Sequence, residues 1–223
     1  MKWLAPEQMT TFRQSLAAIA GAALLLLTAS PGSARVASVS LPDLVQISDQ
    51  VVIGTVVRLH RISGIQVAEV AVQETLKGDS RVSRLFFLAQ PTWICDVTEA
   101  EAGETALLFL ERSDGVLQFQ NLPPGNGEFR KAPPSFRREL DRLRGGSPFF
   151  VVAQAGRGHM AVRSLEGQEV TTVWIDDVRL PETVVSFPGP EPEYAFIRSV
   201  PLASLRGLVS ETLRPSNDPA AAR

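Results

Sequence analysis

The sequence predicts a mainly β fold, in which a five-stranded barrel with short flanking helices is followed by a β-rich extension that ends in a helix. Three observations support this prediction. Five short β-rich segments, separated by turn signals, lie between residues 51 and 120. Gly54 interrupts the first segment, where a small closed barrel needs a bulge or a bend. Three short segments outside these strands, the last near the C-terminus, place apolar residues at helical spacing.

Residues 1–34 have the layout of a secretory signal peptide. A weakly basic start precedes an apolar run from Leu16 to Thr28, and Gly32-Ser33-Ala34 supplies the small residues of a cleavage site. An uncleaved membrane anchor is the alternative, but the run is shorter than the roughly 20 residues that cross a bilayer. We therefore expect cleavage near Ala34, export to the periplasm or the exterior, and no membrane span in the mature chain.

Residues 41–121 are predicted to form the barrel. A short helix opens this segment, because Pro42 suits a first helical turn and Leu41, Leu44 and Val45 share one face. The period then changes to that of strands. These are predicted at Val51–Val57, Val67–Leu76, Val82–Leu88, Thr105–Leu110 and Val116–Gln120.

Residues 122–147 are predicted to form a Pro-rich loop and then a helix, since Phe136, Leu140 and Leu143 share one face. Residues 148–214 are β-rich again and end in a terminal helix. Within them we expect a strand at Pro148–Gln154, a hairpin of Met160–Arg163 with Val170–Ile175, and a helix over Pro201–Leu213. Residues 215–223 are expected to be a tail.

Composition excludes several classes of function. The single cysteine excludes an intramolecular disulfide framework and a multi-thiolate metal site. A formal net charge of −2 gives no electrostatic reason to expect a nucleic-acid partner. The richest basic stretch, from Arg130 to Arg144, is interrupted by Glu139 and Asp141, and we interpret it as a solvated helix face.

The sequence contains no recognisable catalytic or metal-binding motif. Its two histidines, His60 and His159, fit no zinc-binding spacing, and no serine lies in a G-x-S-x-G elbow. We therefore predict no catalytic residue, no metal and no cofactor. The candidate ligand-binding residues are Trp93, Cys95, Asp96, Arg157, His159, Trp174 and Asp176.

The first half also contains a series of short segments in a characteristic order. They are Leu44-Val45, Ser48-Asp49-x-Val51-Val52-x-Gly54-x-Val56, Val70-x-Val72, Leu76-Lys77-Gly78, Cys95-Asp96 and Gly103-Glu104-x-x-Leu107-Leu108-Phe109-Leu110. Their order and spacing resemble the bacterial exported domains that are similar to tissue inhibitors of metalloproteinases and to netrin modules. The resemblance covers about 70 residues and implies a five-stranded OB-like barrel.

The resemblance does not extend to the inhibitory device. In the animal inhibitors a mature N-terminal cysteine, fixed by disulfides, reaches the zinc of the protease. This mature chain is expected to begin at about Arg35, and its one cysteine is Cys95. The resemblance therefore implies the fold without the activity.

Three hypotheses for function follow. The first is an exported, non-catalytic binding module of the cell envelope, with an unknown protein or envelope ligand as its partner. The second is a hydrolase with an unrecognised site built from Asp96, His159 and Asp176. The third is a protease inhibitor that acts through the loop from Leu122 to Pro134.

Overall fold

Strands dominate the part of the chain that the computed structural model describes, which is residues 38–93, 96–113, 117–119, 130–165, 168–174, 178–188 and 197–214. Three helices are present there: α1 (Leu41–Ile47), α2 (Pro134–Arg144) and α3 (Leu202–Thr212). The strands are β1 (Val39–Ser40), β2 (Gln50–Ile62), β3 (Ile65–Lys77), β4 (Arg84–Leu88), β5 (Thr105–Arg112), β6 (Gln118–Phe119), β7 (Arg130–Lys131), β8 (Phe149–Val152), β9 (His159–Leu165), β10 (Gln168–Trp174), β11 (Val178–Arg179), β12 (Phe187–Pro188) and β13 (Ile197–Pro201).

Five of these strands close into a barrel. β2 pairs antiparallel with both β3 and β5, and β3 pairs antiparallel with β4. β8 completes the ring, because it pairs in parallel with β4 and antiparallel with β5. Around the barrel the strands follow in the order β2-β3-β4-β8-β5, and the neighbours β4 and β8 are parallel. The predicted OB-like barrel with flanking short helices is confirmed.

The pairing of β2 is irregular at Gly54, where the sequence predicts a bulge or a bend. The register between β2 and β3 shifts between Ile53 and Gly54. A Cβ atom on Gly54 would lie 2.6 Å from Cγ1 of Val70 and 2.7 Å from the carbonyl oxygen of Ala71. Because real Cβ atoms do not approach other atoms so closely, β2 and β3 can cross at this distance only with glycine here.

Three hydrophobic clusters hold the fold together. The first fills the barrel, with Phe87, Leu108 and Phe150 among its buried side chains. The second joins the outward-facing residues of β2 and β5 to α1 and α3. The third places Phe136 and Leu140 of α2 on outward-facing residues of β3, β4 and β8. The barrel therefore has a core inside it and helices packed on two parts of its outer face.

The C-terminal strands extend the sheet of the barrel. β9 pairs antiparallel with β5, β10 with β9, and β13 with β10, while β12 pairs with the outer edge of β13. The predicted hairpin of Met160–Arg163 with Val170–Ile175 corresponds to β9 and β10, although its turn at residues 166–167 lies outside the described residues. The β-rich extension that ends in a helix, α3, is thus confirmed.

The predicted fifth strand of the barrel is wrong. Of the segment Val116–Gln120, the structure describes a strand only at β6, which pairs with β7 in a separate two-stranded sheet. The strand that closes the barrel is β8, within the segment predicted as Pro148–Gln154 and assigned to the C-terminal region. The barrel therefore continues past the predicted boundary at residue 121 and is complete only at Val152.

Three predicted segments lie wholly or mostly outside the described residues. They are the signal peptide at residues 1–34, the loop from Leu122 to Pro134, of which residues 122–129 are not described, and the tail at residues 215–223. In the part of the chain that the structure describes, no helix combines the length and the apolar character needed to cross a membrane.

Candidate ligand-binding cleft

The carboxylate of Asp96 organises the loop after β4. Its Oδ2 atom accepts hydrogen bonds from the backbone N–H of Thr92 (2.8 Å) and from the hydroxyl of Thr92 (2.7 Å). Its Oδ1 atom accepts from the backbone N–H of Thr98 (2.9 Å) and from the hydroxyl of Thr98. A carboxylate offers about four acceptor positions, so these bonds occupy the group. Asp96 is therefore a structural residue of this loop.

Arg157 belongs to a turn that packs against the same loop. The N–H of Val97 donates to the carbonyl of Ala155 (3.0 Å). A Cβ atom on Gly156, whose φ is +90°, would lie 2.3 Å from the backbone nitrogen of Thr98. The Arg157 side chain is only 7% exposed, and its Nη1 donates to the carbonyl of Gln154 (3.1 Å). Asp96 and Arg157 thus lie in neighbouring segments that the hydrogen bond between Val97 and Ala155 joins.

His159 forms a shielded pair with Glu104. The Nε2 atom of His159 and Oε1 of Glu104 are 3.1 Å apart, and the two side chains are 12% and 6% exposed. Burial raises the pKa of Glu104, but the contact with His159, the N–H of Glu101 and the charge of Arg163 outweigh it. The pKa of Glu104 is therefore lowered, and the pair stabilises the ionised carboxylate at the start of β5.

The two histidines lie on opposite sides of strand β4. His60 contacts Glu69 (2.8 Å), and its ring lies 6.2 Å from that of Phe86. The ring of His159 lies 6.2 Å from that of Phe87. Phe86 and Phe87 are consecutive residues of β4 and belong to different hydrophobic clusters, one outside and one inside the barrel. The structure therefore does not bring the histidines into one site.

Of the four remaining predicted residues, the structure describes the two tryptophans. Trp93 is half-buried, and its carbonyl accepts the N–H of Asp96 (3.1 Å). Trp174 lies in β10 opposite Ile197 of β13. Cys95 and Asp176 lie outside the described residues. Across the described ranges, no three His, Cys, Asp or Glu side chains come close enough together to hold a metal ion.

A cleft of about 660 Å³ opens between α2 and the adjoining end of the barrel. This volume lies within the range of small-molecule sites, roughly 300–1,000 Å³. The wall is mainly apolar and is drawn from segments far apart in the sequence. Its apolar members include Val82, Leu117, Ala132, Phe136, Pro148 and Phe149.

Helix α2 forms one wall of the cleft, and its position follows from its sequence. Phe136 and Leu140 are buried against the barrel, as their spacing predicts, and the rings of Phe136 and Phe149 meet edge to face at 6.4 Å. The helix ends at Gly145 in the left-handed conformation. The hydroxyls of Ser135 and Ser63 are 2.8 Å apart, which ties the helix to the turn between β2 and β3.

This placement covers a surface that many OB-type barrels use. Such barrels bind oligonucleotides and oligosaccharides on the face of their second and third strands and on the adjoining loops. Here those strands are β3 and β4, and Phe136 and Leu140 lie in one cluster with their outward-facing residues, among them Val67 and Phe86. The cleft at the edge of α2 remains accessible instead.

The charged residues of the cleft do not neutralise one another completely. Asp79 accepts two hydrogen bonds from the guanidinium of Arg81, at 2.9 Å each, and this pairing lowers the pKa of Asp79 to about 2. Asp141 pairs with Arg144 at 2.7 Å. Arg112 and Arg137 also line the cleft, and neither has a carboxylate within ion-pair distance among the described residues. Two arginine side chains are thus left to act on a ligand.

Comparison with known proteins does not assign this site. No family model matches the chain, and no curated protein matches it either.

The cleft is not predicted by the candidate residues of the sequence. Trp93, Asp96, Arg157 and His159 do not line it. The one sequence feature at the cleft is the basic stretch around α2, for which the sequence favours a solvated helix face. That interpretation describes Arg138, but Arg137, the next residue along the helix, borders the apolar wall.

Proposed function

We propose that the protein is an exported, non-catalytic binding module of the cell envelope, and that the cleft beside α2 is its ligand site. The observation that carries this proposal is the cleft itself. It combines a mainly apolar wall with two arginines, Arg112 and Arg137, that have no carboxylate partner among the described residues. A concave apolar site with a few polar groups is the usual form of a small-molecule site.

The arrangement of the predicted hydrolytic residues supports binding over catalysis. Hydrogen bonds from Thr92 and Thr98 occupy the carboxylate of Asp96. His159 is held by Glu104, with both side chains largely shielded from water. A nucleophile, a base and an orienting group must lie within hydrogen-bond reach of one another, and Asp96 and His159 have separate partners.

The proposal also includes secretion of the protein and common ancestry with the inhibitor-like and netrin-like domains. The apolar run and the small residues before Arg35 support passage through a secretory pathway. The five-stranded barrel is the fold that the resemblance to inhibitor-like and netrin-like domains implies. We infer that the chain shares ancestry with these domains and that its ligand differs from theirs.

The test is to fill the cleft with a larger side chain and to measure which ligand the protein still binds. The full chain, Ala132→Trp and the milder Ala132→Leu are incubated with envelope extract, and bound molecules are identified by native mass spectrometry. Val57→Trp is the control, because Val57 is half exposed on β2 and does not line the cleft. Thermal unfolding of each variant checks that it is folded.

We expect the wild type and Val57→Trp to retain the same ligand, and we expect the folded cleft variants to lose it. Retention of that ligand by folded Ala132→Trp would place binding elsewhere and overturn the assignment of the cleft. Turnover of any ligand by the wild type would overturn the non-catalytic function.

A further inference from the structure

We propose that the cleft binds an anionic amphiphile, a small molecule with an aliphatic body and a carboxylate head. This inference rests on the proposed function of the cleft and names the chemistry of its ligand. Two features lead to it: the run of apolar residues that forms one part of the wall and the excess of positive charge at its edge.

The wall favours an aliphatic body over a sugar or an extended peptide. Pro133, Pro134 and Pro148 line the cleft and have no backbone N–H to donate. Phe136 and Phe149 add aromatic surface beside them. A sugar or a peptide against this part of the wall would find fewer backbone donors than a wall without prolines offers. An alkyl chain needs no donors and gains by leaving water.

The edge of the cleft favours an anionic head. Five charged residues line the cleft, and two of them are acidic. Both acidic residues already have short contacts to arginine, Asp79 with Arg81 and Asp141 with Arg144. A cationic ligand would therefore have to compete with these pairs. Arg112 and Arg137 offer planar guanidinium groups that can bind a carboxylate through two parallel hydrogen bonds.

The test compares ligands that share one alkyl chain and differ only in the charge of the head. Dodecanoate, dodecanol and dodecyltrimethylammonium are titrated into the full chain below their micelle concentrations, by displacement of an environment-sensitive fluorophore. We expect dodecanoate to bind about tenfold more tightly than dodecanol, since the head gains charge-assisted hydrogen bonds. We expect dodecyltrimethylammonium to bind most weakly.

Variants then assign the effect to the two arginines. Arg112→Gln and Arg137→Gln are expected to reduce the advantage of dodecanoate over dodecanol while leaving the affinity for dodecanol within about twofold of the wild type. Arg138→Gln is the matched control, because Arg138 neighbours Arg137 on α2, is exposed and does not line the cleft. Ala132→Trp is expected to weaken binding of all three compounds.

The failure of this inference can be distinguished from the failure of the proposed function. Equal affinity for dodecanoate and dodecanol would overturn the anionic head while leaving an apolar cleft that binds. A loss with Arg138→Gln as large as with Arg137→Gln would attribute the effect to general surface charge and would also overturn it. Binding of none of the three compounds, while the envelope ligand is still retained through the cleft, would overturn the amphiphile alone.

Discussion

At the scale of single residues, two glutamates near opposite ends of β5 have pKa values shifted in opposite directions. Burial raises the pKa of Glu104, but the contact with His159, the N–H of Glu101 and the charge of Arg163 together outweigh it, so this pKa is lowered. The pKa of Glu111 is raised, mainly by burial and further by the charge of Asp49, against the opposing hydrogen bond from the backbone N–H of Gln154. One carboxylate therefore stabilises the fold when ionised, and the other destabilises it.

The variants Glu104→Gln and Glu111→Gln are expected to change stability at neutral pH in opposite directions. A lowered pKa contributes stability above the unfolded-state pKa, and this is lost as pH falls through the folded-state value. Glu104→Gln should therefore be less stable than the wild type at neutral pH, by about 1 kcal/mol. A raised pKa has the opposite sign, so Glu111→Gln should be slightly more stable there.

Urea unfolding between about pH 3 and pH 8 measures both effects. The difference between each variant and the wild type should shrink towards acid pH, where the wild-type carboxyl group is protonated. A Glu104→Gln deficit that is constant over this range would attribute its effect to the shape of the amide and not to ionisation.

Residue type alone could not predict the site. Carboxylates and imidazoles perform chemistry, which makes Asp96 and His159 candidates, but their partners, Thr98 and Glu104, determine their roles. Thr98 lies two residues from Asp96, whereas Glu104 is distant from His159 in the sequence and contacts it only in the folded chain. Arg137 is not a candidate by residue type. An arginine on a helix surface becomes a candidate ligand contact only when an apolar wall lies beside it.

At the scale of elements, local sequence patterns predict the helices and most strands, but they do not predict which strand closes the barrel. The predicted stripe of α1 is buried, and that of α2 is buried at Phe136 and Leu140 and half-buried at Leu143. The predicted irregularity at Gly54 of β2 is present as a register shift. The closing strand, β8, is also visible as an apolar run. Its membership of the barrel depends on pairing with β4 and β5, which lie far from it in the sequence. The spacing of apolar residues within a segment does not indicate which distant strand the segment pairs with.

Helix α1 depends on a distant lysine at its C-terminal end. The helix has no basic residue in its last turn. Nζ of Lys77, at the end of β3, donates to the carbonyl oxygens of Val45 (2.7 Å), Gln46 (3.1 Å) and Ser48 (2.6 Å). A cation at this position satisfies free carbonyl groups and opposes the negative end of the helix dipole.

The variant Lys77→Met should lower the free energy of unfolding by about 2 kcal/mol, because methionine keeps an unbranched apolar chain of similar size and removes the charged donor. Lys131→Met is the matched control, since Lys131 is exposed on β7, and it should change stability by less than about 0.5 kcal/mol. Urea unfolding at neutral pH measures both. Equal, small effects of the two substitutions would show that the contacts of Lys77 contribute nothing to stability.

At the scale of the whole molecule, the first and last helices share one hydrophobic cluster. Leu41, Leu44 and Val45 of α1 belong to it together with Leu205 and Val209 of α3. β9 also continues the sheet directly from β5 of the barrel. Residues 37–223 accordingly form one compact unit. The C-terminal strands and α3 are therefore expected to unfold together with the barrel.

The variant Leu205→Ala tests this expectation, because Leu205 is fully buried in the shared cluster. Truncation of a buried leucine costs about 2–5 kcal/mol. In a Trp3→Phe background, Trp93 reports on the loop after barrel strand β4 and Trp174 on strand β10, each studied alone by replacing the other with Phe. We expect Leu205→Ala to shift both fluorescence transitions in urea equally and to keep them coincident, since one cooperative unit has one midpoint. A shift confined to Trp174 would mean that the C-terminal region unfolds independently of the barrel.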